Sequence, residues 1–179
     1  MMADMLMGCV LAGGQSRRFG SDKALALLDG ETLIDRAVRQ LRAWCGDVVV
    51  AGRVEAPATT VADWPAADMG PLGGLAGALR HARDGGYGAV LACGVDSVGL
   101  PADTPALLSP GPACFSSQPV VGLWPVTTLP VLERLLTGPG RNSFVHFAQL
   151  SGARMVDAPC PPANINTPAD LADIGKTVE

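Results

Sequence analysis

Hydrophobic residues along this chain fall into two kinds of stretch. Continuous apolar runs lie within residues 5–10, 47–52, 89–95 and 119–125. Runs of this length, without polar alternation and bounded by glycine or proline, predict strands buried on both faces, as in a parallel sheet. Between them, apolar positions recur at the 3.6 period of an amphipathic helix. Leu33, Ile34, Ala37, Val38, Leu41 and Trp44 form one such stripe within 31–44. Leu72, Leu75, Ala76, Leu79 and Ala82 form a second after Gly70, and Leu129, Leu132, Leu135 and Leu136 a third from Thr128. A short helix from Arg141 through Leu150 and an edge strand over 152–157 complete the regular pattern. Residues 53–69, rich in Ala and Pro, read as irregular, and Asp103 fits the N-cap of a helix behind it. Thr167, with Pro168 next and Asp170 three residues on, has the form of a capped helix start. Strands alternating with helices predict an α/β fold with a mostly parallel sheet and right-handed crossovers. Such sheets bind ligands beyond the carboxyl ends of their strands.

Composition narrows the class. At 179 residues the chain is expected to form a single domain, 1–179, with 48% hydrophobic and 17% charged residues as in an ordinary soluble globule. A net charge of −4 argues against a general nucleic-acid or anionic-membrane binder. Five cysteines without a C-x-x-C read as reduced thiols of a cytosolic protein. The N-terminal apolar residues are interrupted by Asp4 and the run after it flows into a glycine loop, so it reads as a core strand rather than a signal peptide. A cytoplasmic location is therefore expected, with no membrane span.

Chemistry concentrates in the stretch from Leu11 to Lys23, where Gly13, Gly14 and Gly20 accompany Arg17, Arg18 and Lys23. Glycines let backbone N–H groups close on a phosphate, and Arg and Lys add charge at the mouth. The spacing is neither a P-loop nor a G-x-G-x-x-G, which disfavours a nicotinamide-dependent oxidoreductase. Asp96 closes the 89–95 run, where a carboxylate facing a phosphate loop suits Mg²⁺. Its competing reading is a cap for the next turn. Glycines at 70, 73, 74 and 77 weaken their helix and mean either close packing or a flat ligand on bare backbone. His81 and His146 have no partners at ligand spacing. Trp124 and Phe147 read first as core, although with His146 they are candidates to flank a second substrate.

The string L-A-G-G-x-S-x-R-F-G-x-D-K over 11–23 resembles the signature of nucleotidyltransferases that make cofactor and sugar nucleotides, and is most similar to the molybdenum cofactor guanylyltransferases. The resemblance returns at G-P-L-x-G-L from Gly70, at Asp96-Ser-Val-Gly-Leu-Pro101 and at N-x-N-T-P-x-D-L from Asn164. It implies a three-layer Rossmann-like fold with helices on both faces of the sheet. It also implies transfer of GMP from GTP to the terminal phosphate of molybdopterin or molybdenum-molybdopterin, with Mg²⁺. Lys23, Arg18 and Asp96 would be catalytic, with Asp96 holding the metal and Arg17 a helper. Leu11, Ala12, Gly13, Gly14, Lys23, Asp68 and Asp96 would bind the nucleotide, Asp68 reading the guanine edge with Asp63 in reserve. Asn164 and Asn166 would face the acceptor. Transient contact with other molybdenum cofactor biosynthesis proteins is implied, and nucleic acid or membrane is not. Three departures stand out. Val98 replaces a proline of the family, Ala51-Gly52-Arg53 lacks an asparagine common after the second strand, and the 108–118 region is short. The rival readings are a cytidylyl- or sugar-phosphate nucleotidyltransferase on the same fold, or a non-catalytic nucleotide-binding adaptor.

Overall fold

A computed structural model describes residues 5–13, 22–140 and 142–175. The first apolar run becomes β1 (Leu6–Leu11). A 3₁₀ turn at Lys23–Leu25 leads into a short hairpin of β2 (Leu27–Leu28) and β3 (Glu31–Thr32). Asp29 and Gly30 turn it with φ of 53° and 79°, the positive-φ pair that Asp-Gly provides. That hairpin takes the first two residues of the helix expected over 31–44. Thr32 then caps α1 (Leu33–Arg42), its Oγ1 accepting from the Asp35 N–H at 3.1 Å.

There follow β4 (Asp47–Ala51), β5 (Thr59–Val61), α2 (Gly70–Asp84) and β6 (Ala89–Gly94). Beyond them lie β7 (Ser97–Val98), α3 (Thr104–Leu108), β8 (Ala113–Phe115), β9 (Gly122–Pro125) and α4 (Leu129–Thr137). The chain ends with α5 (Phe144–Ser151), β10 (Arg154–Val156), β11 (Ala163–Asn164) and α6 (Pro168–Gly175). The main sheet has the order β10-β8-β9-β6-β1-β4-β5. Every neighbouring pair is parallel except those of β9, which runs against β6 and β8. Helices α1, α3 and α6 cover one face and α2, α4 and α5 the other, giving three layers with a core on each side. This is the expected α/β architecture.

Trp124 and Phe147 are wholly buried with ring centroids 4.7 Å apart, so both are core, while His146 is exposed. Four cysteines are buried, and burial pushes the Cys45 and Cys93 thiols up to about 12 and Cys114 to about 11, with Cys9 raised as well. They are protonated, inert packing residues. Among the described residues no helix is long and apolar enough to cross a membrane.

Several expectations need correction. Residues 59–61 are a strand rather than irregular, because two threonines and a valine pair with β4 at the sheet edge. The stretch 119–121 turns, Val121 N–H donating to Gln118 O at 2.8 Å, so β9 starts only at Gly122. Asp103 occupies the position before α3 but its side chain makes no cap; Thr104 Oγ1 donates to Pro101 O instead. At α6 the expected capping box is present. Asp170 Oδ2 accepts from the N–H groups of Asn166 and Thr167, and Thr167 Oγ1 accepts from Asp170 N–H at 3.2 Å. Those backbone donors hold the Asp170 carboxyl below its ordinary value.

Candidate active site at the carboxyl edge of the sheet

β1 lies between β4 and β6, with Leu11 opposite both Ala51 and Gly94, so three strands deliver their following loops to one edge. Backbone bonds carry the pairing past the strand ends: Ala12 N–H to Ala51 O and Val95 N–H to Leu11 O, each at 3.0 Å. The 3₁₀ turn that begins at Lys23 is capped by Asp22, whose Oδ1 accepts from Ala24 N–H. Lys23 Nζ thereby reaches Asp96 Oδ2 at 2.9 Å, 73 residues along the chain, with the two side chains 14% and 28% exposed. Asp96 thus joins the opening loop rather than capping the next turn. A side chain on Gly94 would collide with Asp96 Oδ1, so the bare residue makes room for the carboxylate.

A single carboxylate fits Mg²⁺, which commonly takes one or two protein oxygens and completes its shell with phosphates and water. Asp96 Oδ1 has no protein partner among the described residues, and these hold no cluster of three or more His, Cys, Asp or Glu that would suit a protein-caged metal.

Asn164 and Asn166 are exposed on either side of the buried Ile165, whose N–H donates to Asp96 O at 3.1 Å. β11 pairs antiparallel with β7, with Asn164 opposite Ser97. Both asparagines therefore flank Asp96. A buried relay missed by sequence reasoning pins this segment. Ser97 Oγ donates to Gln118 Oε1 at 2.8 Å, and Gln118 Nε2 donates to Pro162 O at 2.6 Å. Nothing in the pattern around Gln118 signals it, because its partners lie 21 and 44 positions away.

At the ends of β1 and β4 opens a cleft of about 380 Å³, within the range of small-molecule sites, whose lining does not include Lys23 or Asp96. Leu11, Gly13, Gly52, Asp63, Asp68 and Gly74 are among its walls. The two acids differ. Asp63 Oδ2 accepts from Met69 N–H at 3.0 Å and braces its own loop. Asp68 is exposed, has φ of 58° and takes no hydrogen bond among the described residues, leaving a free acceptor at the cleft. Trp64 steadies the loop between them, its Nε1 donating to Glu133 at 2.6 Å and its ring lying 4.0 Å beneath the Arg80 guanidinium.

The helix glycines answer mainly to packing. A Cβ on Gly77 would strike Ala62 O, and one on Gly73 would sit 2.5 Å from Met69 Cβ. Gly74 does both jobs, lining the cleft and lying where a Cβ would meet Ala51 Cβ at 2.9 Å. Arg53, where an asparagine was expected nearby, forks onto Asp22 at 2.9 and 2.7 Å. Its hydrogen bonds hold the Asp22 carboxyl below the usual carboxylate range, and Asp22 raises Arg53 in turn. Leu11 and Gly13 line the cleft, the buried Ala12 between them does not, and Gly14, Arg17 and Arg18 lie outside the described residues.

The profile of the MobA-like NTP transferase domain matches residues 8–153. The chain belongs to the MobA-like NTP transferase family. It is 36% identical to a molybdenum cofactor guanylyltransferase of Acidiphilium cryptum over 93% of this chain and 92% of that one. A molybdenum cofactor guanylyltransferase of Rhodobacter capsulatus is 33% identical, covering 93% of each. In fold the chain is similar to the molybdopterin-guanine dinucleotide biosynthesis protein A of Archaeoglobus fulgidus, with a TM-score of 0.73 at 20% identity over 96% and 97% of the two chains. A 4-diphosphocytidyl-2C-methyl-D-erythritol synthase shares it too, with a TM-score of 0.70 at 10% identity over 98% and 99%. The MobA-like family is one of nucleotidyl-transferring enzymes, and the cytidylyl relative shares only the architecture.

Proposed function

We propose that this chain transfers GMP from GTP to the terminal phosphate of molybdopterin, with or without bound molybdenum, releasing pyrophosphate in the cytoplasm. The observation that carries the reading is the meeting of Lys23 and Asp96 at 2.9 Å on the same carboxyl edge of the sheet as a cleft walled by Gly13, Gly52 and Asp68. An acceptor phosphate oxygen attacks the α-phosphorus of GTP, the bond to the β-phosphate oxygen breaks in line, and that electron pair leaves with pyrophosphate. The acceptor is already ionised near neutral pH, so no side-chain base is needed. Positioning and charge neutralisation remain. Lys23, with Arg18, neutralises the triphosphate and the charge growing on the leaving group. Asp96 would hold Mg²⁺, which supplies further neutralisation of phosphate oxygens when bound. Backbone of Leu11 to Gly14 borders the nucleotide, and Asp68 accepts from the donor edge of guanine. Asn164 and Asn166 orient the acceptor phosphate.

A pyrophosphate-release assay with molybdopterin, Mg²⁺ and competing GTP, CTP and UTP tests this. GTP is expected to be preferred. Asp68→Asn should weaken GTP use by roughly 10- to 100-fold, the value of a hydrogen bond to a charged group, and leave the melting temperature unchanged. A wild-type preference for CTP overturns the donor assignment.

A further inference from the structure

Arg53 directly follows Gly52, a wall of the cleft, and its guanidinium grips both oxygens of Asp22, Nη1 to Oδ1 at 2.9 Å and Nη2 to Oδ2 at 2.7 Å. Asp22 caps the turn that starts at Lys23, and Lys23 Nζ rests on Asp96. Direct contacts therefore run without a break from the cleft wall, through Arg53, Asp22 and Lys23, to the carboxylate at the end of β6. Although both partners sit in loops, the Arg53 side chain is only 20% exposed. A bidentate guanidinium–carboxylate pair fixes orientation as well as distance, which an ammonium does not. A further link between the two loops is steric. Gly52 has φ of 86° and lies so close to Gly13 that a Cβ would come within 2.5 Å of Gly13 N.

We propose that Arg53 is a positioning residue which, acting through Asp22, holds the Lys23 ammonium in register with the cleft wall and so couples seating of the base to alignment of the triphosphate. This rests on the nucleotidyl-transfer reading given above. Negative charge grows on the departing pyrophosphate as its bond to the α-phosphorus breaks, so a displaced Lys23 weakens the transition state more than the ground state.

The test is a double-mutant cycle on the full chain, with kcat, KM and melting temperature measured for each variant. Arg53→Ala should lower kcat about tenfold and move KM for the nucleotide less than threefold. Asp22→Asn removes the charge but keeps the cap, since asparagine caps a helix start as well as aspartate. It should reproduce the kcat loss, and the double variant should be no slower than either single one. Losses that multiply in the double variant overturn the proposal, because Arg53 would then act on the nucleotide itself. A raised KM at unchanged kcat overturns it for the same reason. A lower melting temperature with kcat intact reduces Arg53 to a structural residue and overturns it too. The cycle uses whichever nucleoside triphosphate the wild type turns over, so a CTP preference defeats the guanylyl reading and leaves this inference standing or falling by its own numbers. A wild type that turns over none defeats both.

Discussion

Asp96→Asn is expected to lower turnover by roughly 10³-fold or more while the protein remains folded. The carboxylate follows β6 and meets Lys23 through Oδ2, while its Oδ1 has no protein partner among the described residues. Removing one preorganised electrostatic group from a reacting centre costs about 10²- to 10³-fold, and losing a metal site costs more. The same change is mild for folding. Asp96 is partly exposed, its side-chain partner among the described residues is Lys23, and ion pairs at such positions contribute about 0–1 kcal/mol. The backbone bond that Asp96 O accepts from Ile165 is untouched by the substitution. Kinetics alongside urea denaturation separate the two effects. Turnover within tenfold of wild type would remove Asp96 from the reacting centre.

Gly52→Ala should give the largest loss of stability among single methyl additions at the site, about 3 kcal/mol. Two costs combine. A non-glycine residue at φ of 86° is strained by about 1–2 kcal/mol. The new methyl would also run into the backbone of Gly13, and overpacking against atoms that cannot rotate away costs about 1–3 kcal/mol. Because Gly13 and Gly52 both wall the cleft, relief by spreading the β1 and β4 loops should weaken nucleotide binding as well. A midpoint shift in urea worth less than 1 kcal/mol would show that the two loops do not touch as described.

How much of this was legible in the sequence follows from which physical signals are local. The runs that became β1, β4 and β6 are buried on both faces, so their lack of polar alternation marked them plainly. The stripes of α1, α2 and α4 were equally plain, since a helix covering a sheet keeps one apolar face. β5 and β8, three residues each, carry too few positions for a period to show, and unlike the equally short β10 they were not marked by the pattern. The reversed direction of β9 has no sequence signature, because an antiparallel strand buried on both faces reads like a parallel one. At the site, Lys23, Asp96 and the Asn164–Asn166 pair come from three segments, the first two following β1 and β6 of the parallel sheet and the third brought in by the antiparallel β7–β11 pair. Asp63 and Asp68 were both visible as candidate acids. Which one stays free depends on a bond to Met69 N–H that only the folded loop reveals. The Arg53–Asp22 pair and the Ser97–Gln118–Pro162 relay join residues whose types are unremarkable where they stand, so spacing held no trace of either.

The most direct measurement is the thermal shift produced by GTP, CTP, UTP and ATP, with and without Mg²⁺, in the wild type and in Asp96→Asn. Near 100 times the dissociation constant, GTP with Mg²⁺ should raise the wild-type melting temperature by roughly 5–10 °C, more than any other nucleotide and more than GTP alone. In Asp96→Asn the extra increment from Mg²⁺ should vanish. Equal shifts from all four nucleotides, or an Mg²⁺ increment that survives without the Asp96 carboxylate, would contradict a shared triphosphate site between Lys23 and Asp96.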